Sequence, residues 1–439
     1  MNGTRLTWFA IGTAVVTGSG VATLGRSAWW ESLGHAMAQA APVAAIDVAN
    51  SGYPIERSAC LSVNLGANAA TDCGDLRVTH PLSSVRAFDT EVTPTLLYNS
   101  QFAHPRLSVP VTITQLATTT QPDSVELRLC RAPYNAPPAA WTCVTSAWRG
   151  TDWPAGTTAA RRVTITADAI NDTTGVYSYY VKPANWYGLT RVPRPDSIVG
   201  GYHHVNRSNS PYGAGWWLVG LDRVKKYYQS GGTTALLWVG GDGSTRTFTV
   251  GQAMYYDRLD SITYDAAQQA YVRRLPEGRR TEFDLQGRHI RTINRFGRVT
   301  VLSYVTTADS AGVATMTLPS PTGMSFGFSY TNGRLAVVTP PALGSTGMQI
   351  RKDTIVNTAG NVVRVRNASD SSVQFAYYGG TTTQYVLRER KSRRAVAQTF
   401  TFDAAFKARS ASVAPGFGSG VITTTVVAGE SRGLPQSGS

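Results

Sequence analysis

Along much of the chain, apolar and polar residues alternate with a period of two, the spacing of a strand with one face buried. Ser124-Val125-Glu126-Leu127-Arg128-Leu129-Cys130 alternates in this way, residues 161–166 repeat it, and Gly175-Val176-Tyr177-Ser178-Tyr179-Tyr180-Val181 reads as a late aromatic strand. Thr95-Leu96-Leu97-Tyr98 and Val109-Pro110-Val111-Thr112-Ile113-Thr114 are shorter β-type runs. One run breaks the alternation: Leu236-Leu237-Trp238-Val239 is continuously apolar, enters Gly240-Gly241-Asp242-Gly243, and is followed by alternating residues 245–249. This pattern predicts a strand, a tight Asp-Gly turn and a second strand. Upstream, Pro211, Gly213 and Gly215 break the backbone before Trp216 and Trp217, so both indoles enter a regular element from a turn.

A second pattern is a recurring turn. Phe283-Asp284-Leu285-Gln286-Gly287-Arg288 is followed closely by Asn294-Arg295-Phe296-Gly297-Arg298. Tyr330-Thr331-Asn332-Gly333-Arg334-Leu335 and Asn357-Thr358-Ala359-Gly360-Asn361-Val362 are less regular units. Phe402-Asp403 starts another, with Phe406 and Lys407 where the turn glycine and its arginine should stand. Each unit reads as a strand pair that cannot bury its faces alone, so stacking into one continuous sheet is the simplest solution.

Residues 210–249 together with RRLPEGRRTEFDLQGRHIRTINRFGRVTVLSY resemble the lead-in segment and first repeats of bacterial Rhs/YD-repeat proteins, over about residues 206–304. The run CGDLRVTHPLSSVRAFDTEVTPTLLYNSQFAHPR resembles, more loosely, the region that precedes such repeats. The resemblance implies a β-sheet shell that spirals into a hollow cocoon, often around a C-terminal toxin segment, and it carries an association with carbohydrate binding. Full-length shells have many more repeats, a core segment with an internal cleavage motif and a variable effector, none of which is visible in this sequence. So few repeats predict an open, curved sheet with an exposed last edge.

The expected fold is therefore mainly β: an immunoglobulin-like β-sandwich region followed by a short, open, shell-like YD-repeat β-sheet array. The expected division is a signal peptide or membrane anchor over 1–40, an N-terminal β-rich region over 41–122, a β-sandwich-like domain over 123–200, the repeat sheet over 201–409, and a flexible tail over 410–439. At 439 residues the chain exceeds one typical core.

Charged residues make up only 15%, and the net charge of +14 comes mostly from arginines scattered through the second half. An even scatter on alternating strands reads as a solvated sheet face, so no specific nucleic-acid partner is expected. Cys60 with Cys73, and Cys130 with Cys143, bracket short stretches containing turn residues, which predicts two local disulfides and an oxidising compartment. A four-thiolate zinc site is the competing reading, but neither pair has the Cys-x-x-Cys spacing it favours. Arg5, the apolar residues 6–24 and Ala38-Gln39-Ala40 predict export, with cleavage before Ala41 or an uncleaved anchor as the only membrane contact. The expected location is the cell envelope or outside a bacterial cell.

Candidate chemistry is sparse, and the expectation is a protein without catalysis, cofactor or metal of its own. Gly429-Glu430-Ser431-Arg432-Gly433 spells a nucleophile elbow, yet no histidine follows His289. His203 and His204 are neighbours, but adjacent strand residues point to opposite faces. Gly416-Phe417-Gly418-Ser419-Gly420 lacks the strand-to-helix setting of a dinucleotide loop. Asp257, Asp260 and Asp265 near Tyr255, Tyr256 and Tyr264 are the candidate acids for a glycosidase, the least favoured reading. Trp216, Trp217 and Trp238 are candidate sugar-stacking residues, with a core role the commoner expectation for such rings. The expected partners are a cell-envelope polysaccharide or a C-terminal effector encoded elsewhere or lost. The favoured role is a scaffold in intercellular competition or adhesion, with a stand-alone envelope-binding module as the alternative.

Overall fold

The computed structural model describes residues 62–425 except 65–67, 71–74, 88–89, 116–121, 150–158, 196, 229–233, 252–259, 307, 309–310, 320–322, 343–350, 381–383, 404–406 and 415–420. The expected leader, Cys60 and Cys73 lie outside the described residues. The alternating runs all become antiparallel strands, and the protein is mainly β.

The first sheet joins β1 (Ser62–Asn64), β2 (Asn68–Ala70), β3 (Leu76–Pro81), β6 (Thr95–Asn99) and, from far along the chain, β14 (Trp216–Leu218). A small ribbon of β4 (Val85–Ala87) and β5 (Thr90–Val92) hangs between β3 and β6. After β6, Asn99 caps a single helical turn, α1 (Ser100–Ala103), by accepting from the Gln101 amide.

The sandwich packs β7 (Arg106–Gln115) and β10 (Ala159–Asp168) against β8 (Ser124–Pro133), β9 (Thr142–Arg149), β11 (Gly175–Tyr187), β12 (Thr190–Pro193) and β13 (Ile198–His204). Leu107, Val109, Val111 and Ile113 on β7 meet Val125, Leu127 and Leu129 on β8 in one buried cluster. The sandwich thus draws a strand from upstream of residue 123, because the alternation of β7 gives it a face to bury. Cys130 and Cys143 stand directly opposite on β8 and β9 and form a disulfide.

The continuous apolar run is β16 (Thr234–Val239), the middle strand of a three-stranded sheet with β15 (Arg223–Tyr228) and β17 (Thr245–Thr249). Its two faces serve two cores. Leu236 and Trp238 pack with Val224, Phe248, Tyr271 and Phe283, whereas Leu237 and Val239 pack with Phe102, Val176 and Val205. That double burial explains why this run does not alternate.

Fifteen strands in sequence order, β18 (Ser261–Asp265) to β32 (Ile422–Thr425), then form one antiparallel sheet that does not close on itself among the described residues. Of these, β31 (Ala408–Ala414) straddles the expected start of the tail at residue 410, and β32 lies within it. The turn at Asp284 shows the repeat's logic. The Gly287 amide donates to the Asp284 carbonyl, the Asp284 amide donates to the Arg288 carbonyl, and the Asp284 carboxylate accepts from the Arg288 amide. The Asn294–Arg298 turn closes identically. So do residues 367–371 and 392–396, where Asp370 and Ala395 occupy the positive-φ position that glycine holds elsewhere. At the next unit the Asp403 amide donates to the Lys407 carbonyl and the Lys407 amide to the Asp403 carboxylate, two of the same bonds, while residues 404–406 lie outside the described residues. The units at Asn332-Gly333 and Ala359-Gly360 are of another kind: two-residue turns with positive φ at both central positions.

A β-bulge recurs at the end of every second strand, at Phe283, Tyr304, Tyr330, Asn357, Tyr377 and Phe402. Four of these side chains donate to a main-chain carbonyl one strand back: Tyr304 to His289, Tyr330 to Val313, Asn357 to Leu335 and Tyr377 to Val362. The bulge turns the aromatic residue inward and its polar tip satisfies a carbonyl near the start of the preceding strand.

Gly287 and Gly297 separate turn strain from crowding. Both have positive φ, but a Cβ at Gly287 would lie 1.9 Å from the Val224 carbonyl oxygen, whereas one at Gly297 meets nothing within 4 Å. Gly297→Ala should cost about 1 kcal/mol by denaturant unfolding, the left-handed penalty alone. Gly287→Ala should cost more than about 3 kcal/mol, since β15 must move away. Equal costs would refute this account of the turn.

Candidate functional site

Residues 205–223 lead from the sandwich into the repeats and contact the N-terminal sheet, the turn after β16 and the repeat sheet. Arg207 is buried at their junction. Its guanidinium donates to the Gly240 and Gly241 carbonyls at 2.8 and 3.0 Å and lies over the rings of Trp217 and Phe102. Its amide donates to the Phe102 carbonyl, and its own carbonyl accepts from Ser210 and Gly215. Burial pulls its pKa down to about 9, with Asp242 acting in the opposite sense, so it stays charged at neutral pH. Asp222 lies close by, accepting from the Gly241 amide and Trp238 Nε1, and burial pushes its carboxyl up to about 6.

Beside this junction is a cavity of about 670 Å³ between the sandwich loop 170–174, the strap 205–211, β15 and the turn 332–334. Arg207, Arg223, Lys225 and Arg334 line it, with Asp172 the single carboxylate. Asp172 is already ion-paired with Arg131 at 2.6 Å. Arg334 donates to the Ser210 carbonyl and to Asn209 Oδ1, and Arg223 to the Ala311 carbonyl. Amides and hydroxyls of Asn206, Ser208 and Thr173 complete a polar, cationic wall. Nothing in the sequence pattern singled out this site, because its walls come from four separated segments.

The three candidate stacking tryptophans are buried, at 0%, 7% and 9% exposure for Trp216, Trp217 and Trp238, the core placement that was the commoner expectation for such rings. Trp216 packs on Tyr98 and Phe375 and donates to Tyr377 Oη. Trp217 lies between Arg207 and Arg223 and donates to the Leu221 carbonyl, and Trp238 lies under Arg273. Apolar area of that size at a junction of sheets is worth more buried than displayed.

His203 contacts Thr245 Oγ1 and His204 contacts the Asp172 carbonyl, so the two imidazoles diverge as adjacent strand residues should. Asp260 is buried, bound through both oxygens by Arg273 and again by Arg246, an arrangement that holds strands together. Asp265 caps the turn that follows it by accepting from Ala267 and Gln268. Asp257, the 416–420 glycines and the 429–433 motif lie outside the described residues. Among the described residues no group of three or more His, Cys, Asp or Glu side chains is placed to hold a metal, and no helix is long and apolar enough to cross a membrane.

No family model matches the sequence, and no curated protein matches it. Among solved structures the chain is similar to one in the crystal structure of TcdB2-TccC3 without its hypervariable C-terminal region, at 8% identity and a TM-score of 0.18. The likeness covers 78% of this chain and 22% of that one.

Two buried histidines predict how the assembly responds to acid. Burial, with Arg390 and Arg393 nearby, lowers His80 to about 4, and burial lowers His289 to about 4. An unfolded chain takes up these protons near 6.5, so the contribution is complete above that pH, declines as the pH falls, and levels off below about 4. The shifts amount to roughly 3 kcal/mol for each histidine. Urea unfolding should show most of this loss between pH 7 and pH 4.5, with His80→Gln losing less. Stability that is flat over this interval would contradict the assignment.

Proposed function

We propose that this chain is a non-catalytic β scaffold, a segment of an exported Rhs/YD-type shell that works at the bacterial cell surface in toxin delivery or adhesion during intercellular competition. The observation that carries the reading is the fifteen-stranded sheet, in which a bulge recurs on every second strand from β20 to β30, at an aromatic residue in each case but Asn357, and one turn closure recurs even where the glycine is gone. Such a sheet grows by addition of strand pairs and holds its curvature through the bulges, which suits a wall. The sandwich, braced by the Cys130–Cys143 disulfide, suits an oxidising location and the role of a spacer. The partner in this reading is an effector segment or an envelope polysaccharide.

The test pairs location with competition. Antibody to the purified protein should label intact, unpermeabilised cells, and a strain lacking the gene should lose ground against its parent in mixed culture, with recovery on complementation. Labelling only after permeabilisation, or a deletion with no competitive effect, would set the reading aside.

A further inference from the structure

We propose that the cavity beside Arg207 binds a small organic polyanion, one carrying two or more carboxylate or phosphate groups. Four cationic side chains line the space against one carboxylate, and that carboxylate is held by Arg131. Arg207 and Arg334 donate their side-chain hydrogen bonds to neutral oxygens only, namely the carbonyls of Gly240, Gly241 and Ser210 and the amide of Asn209. Those bonds fix the guanidiniums in place without pairing either of them directly with a carboxylate. The carboxylates of Asp222 and Asp242, which act on Arg207, are not among the residues that line the cavity. An entering anion therefore gains from preorganised cations, with little side-chain order left to lose.

Size and lining narrow the class. About 670 Å³ lies within the range of sites for small organic ligands and exceeds what one inorganic ion fills. Cations contributed by the strap, β15 and the 332–334 turn favour charges at both ends of a molecule over a single charge. The hydroxyls and amides of Thr173, Asn206 and Ser208 suit a polar body between those ends. Because the sandwich loop and the repeat turn form different walls of the cavity, a bound anion would bridge the two parts of the chain.

The experiment is isothermal titration of the purified protein with citrate, pyrophosphate and neutral maltose at low salt, repeated with Lys225→Gln, Arg334→Gln and a control, Arg295→Gln, whose side chain lies outside the cavity on Phe296. Citrate or pyrophosphate should bind, maltose should not, and each cavity variant should weaken binding by at least about tenfold while the control leaves it unchanged. Preference for citrate identifies a polycarboxylate site, and preference for pyrophosphate a phosphate site. The melting temperature of the unsubstituted protein should also rise with the bound anion. Absence of binding by either anion up to ~10 mM overturns the proposal, as does binding that both cavity variants leave unchanged.

Discussion

A fifteen-stranded sheet that does not close has an apolar face that must be taken out of water, and much of this molecule is arranged to cover it. The cover is the N-terminal sheet, completed by β14 from the strap. Leu76, Val78, Leu96, Tyr98 and Trp216 share one core with Phe326, Leu335, Val362, Phe375 and Phe400 of the repeats. Tyr98 and Trp216 are wholly buried there, and each places its polar atom on a repeat strand or its connecting loop. Residues facing the other way, such as Val301 and Val356, stay in contact with solvent. One face is therefore a protein interior and the other a surface, which is the condition for a wall.

The junction shows how backbone that leaves regular sheets is kept satisfied. Gly240 and Gly241, the strap at Ser210 and the loop at Ala311 present carbonyls that lack a strand partner, and arginine supplies the donors. A guanidinium reaches two carbonyls at once and still stacks on an indole, so Arg207 can be buried with its guanidinium bonded to carbonyls and not to a carboxylate. Holding a charge there is costly, as its lowered pKa records. The same choice leaves the adjoining cavity electropositive.

Legibility in the sequence followed the range of the interaction. The 236–249 hairpin, the Cys130–Cys143 pair and the turns at Asp284 and Asn294 depend on neighbours along the chain, and each was visible. The turns at 367–371 and 392–396 were hidden because Asp370 and Ala395 accept positive φ under tertiary constraint, removing the glycine that marks the motif. Membership of β7 in the sandwich was hidden because its partner β10 lies beyond another hairpin. The tryptophans were visible as aromatic residues, but whether a ring faces sugar or core depends on residues such as Phe375 and Arg273 much further along. The cavity is the extreme case, since no single stretch contains enough of it to suggest a site.

The contact between Tyr98 and the loop at Tyr385 spans 287 residues of sequence, and it carries a consequence for how the protein is made. During synthesis the N-terminal sheet emerges roughly 15 to 60 s before the strands that will cover its inner face, at ordinary rates of elongation. For that interval Val78, Leu96 and Tyr98 lack their partners on the repeat sheet, and for roughly the first 6 to 24 s of it β6 also lacks β14. Until the last third of the chain arrives, this apolar face has no complete partner within the chain. Its vulnerability is temporal: most of the cover is made early and the sheet it covers comes late.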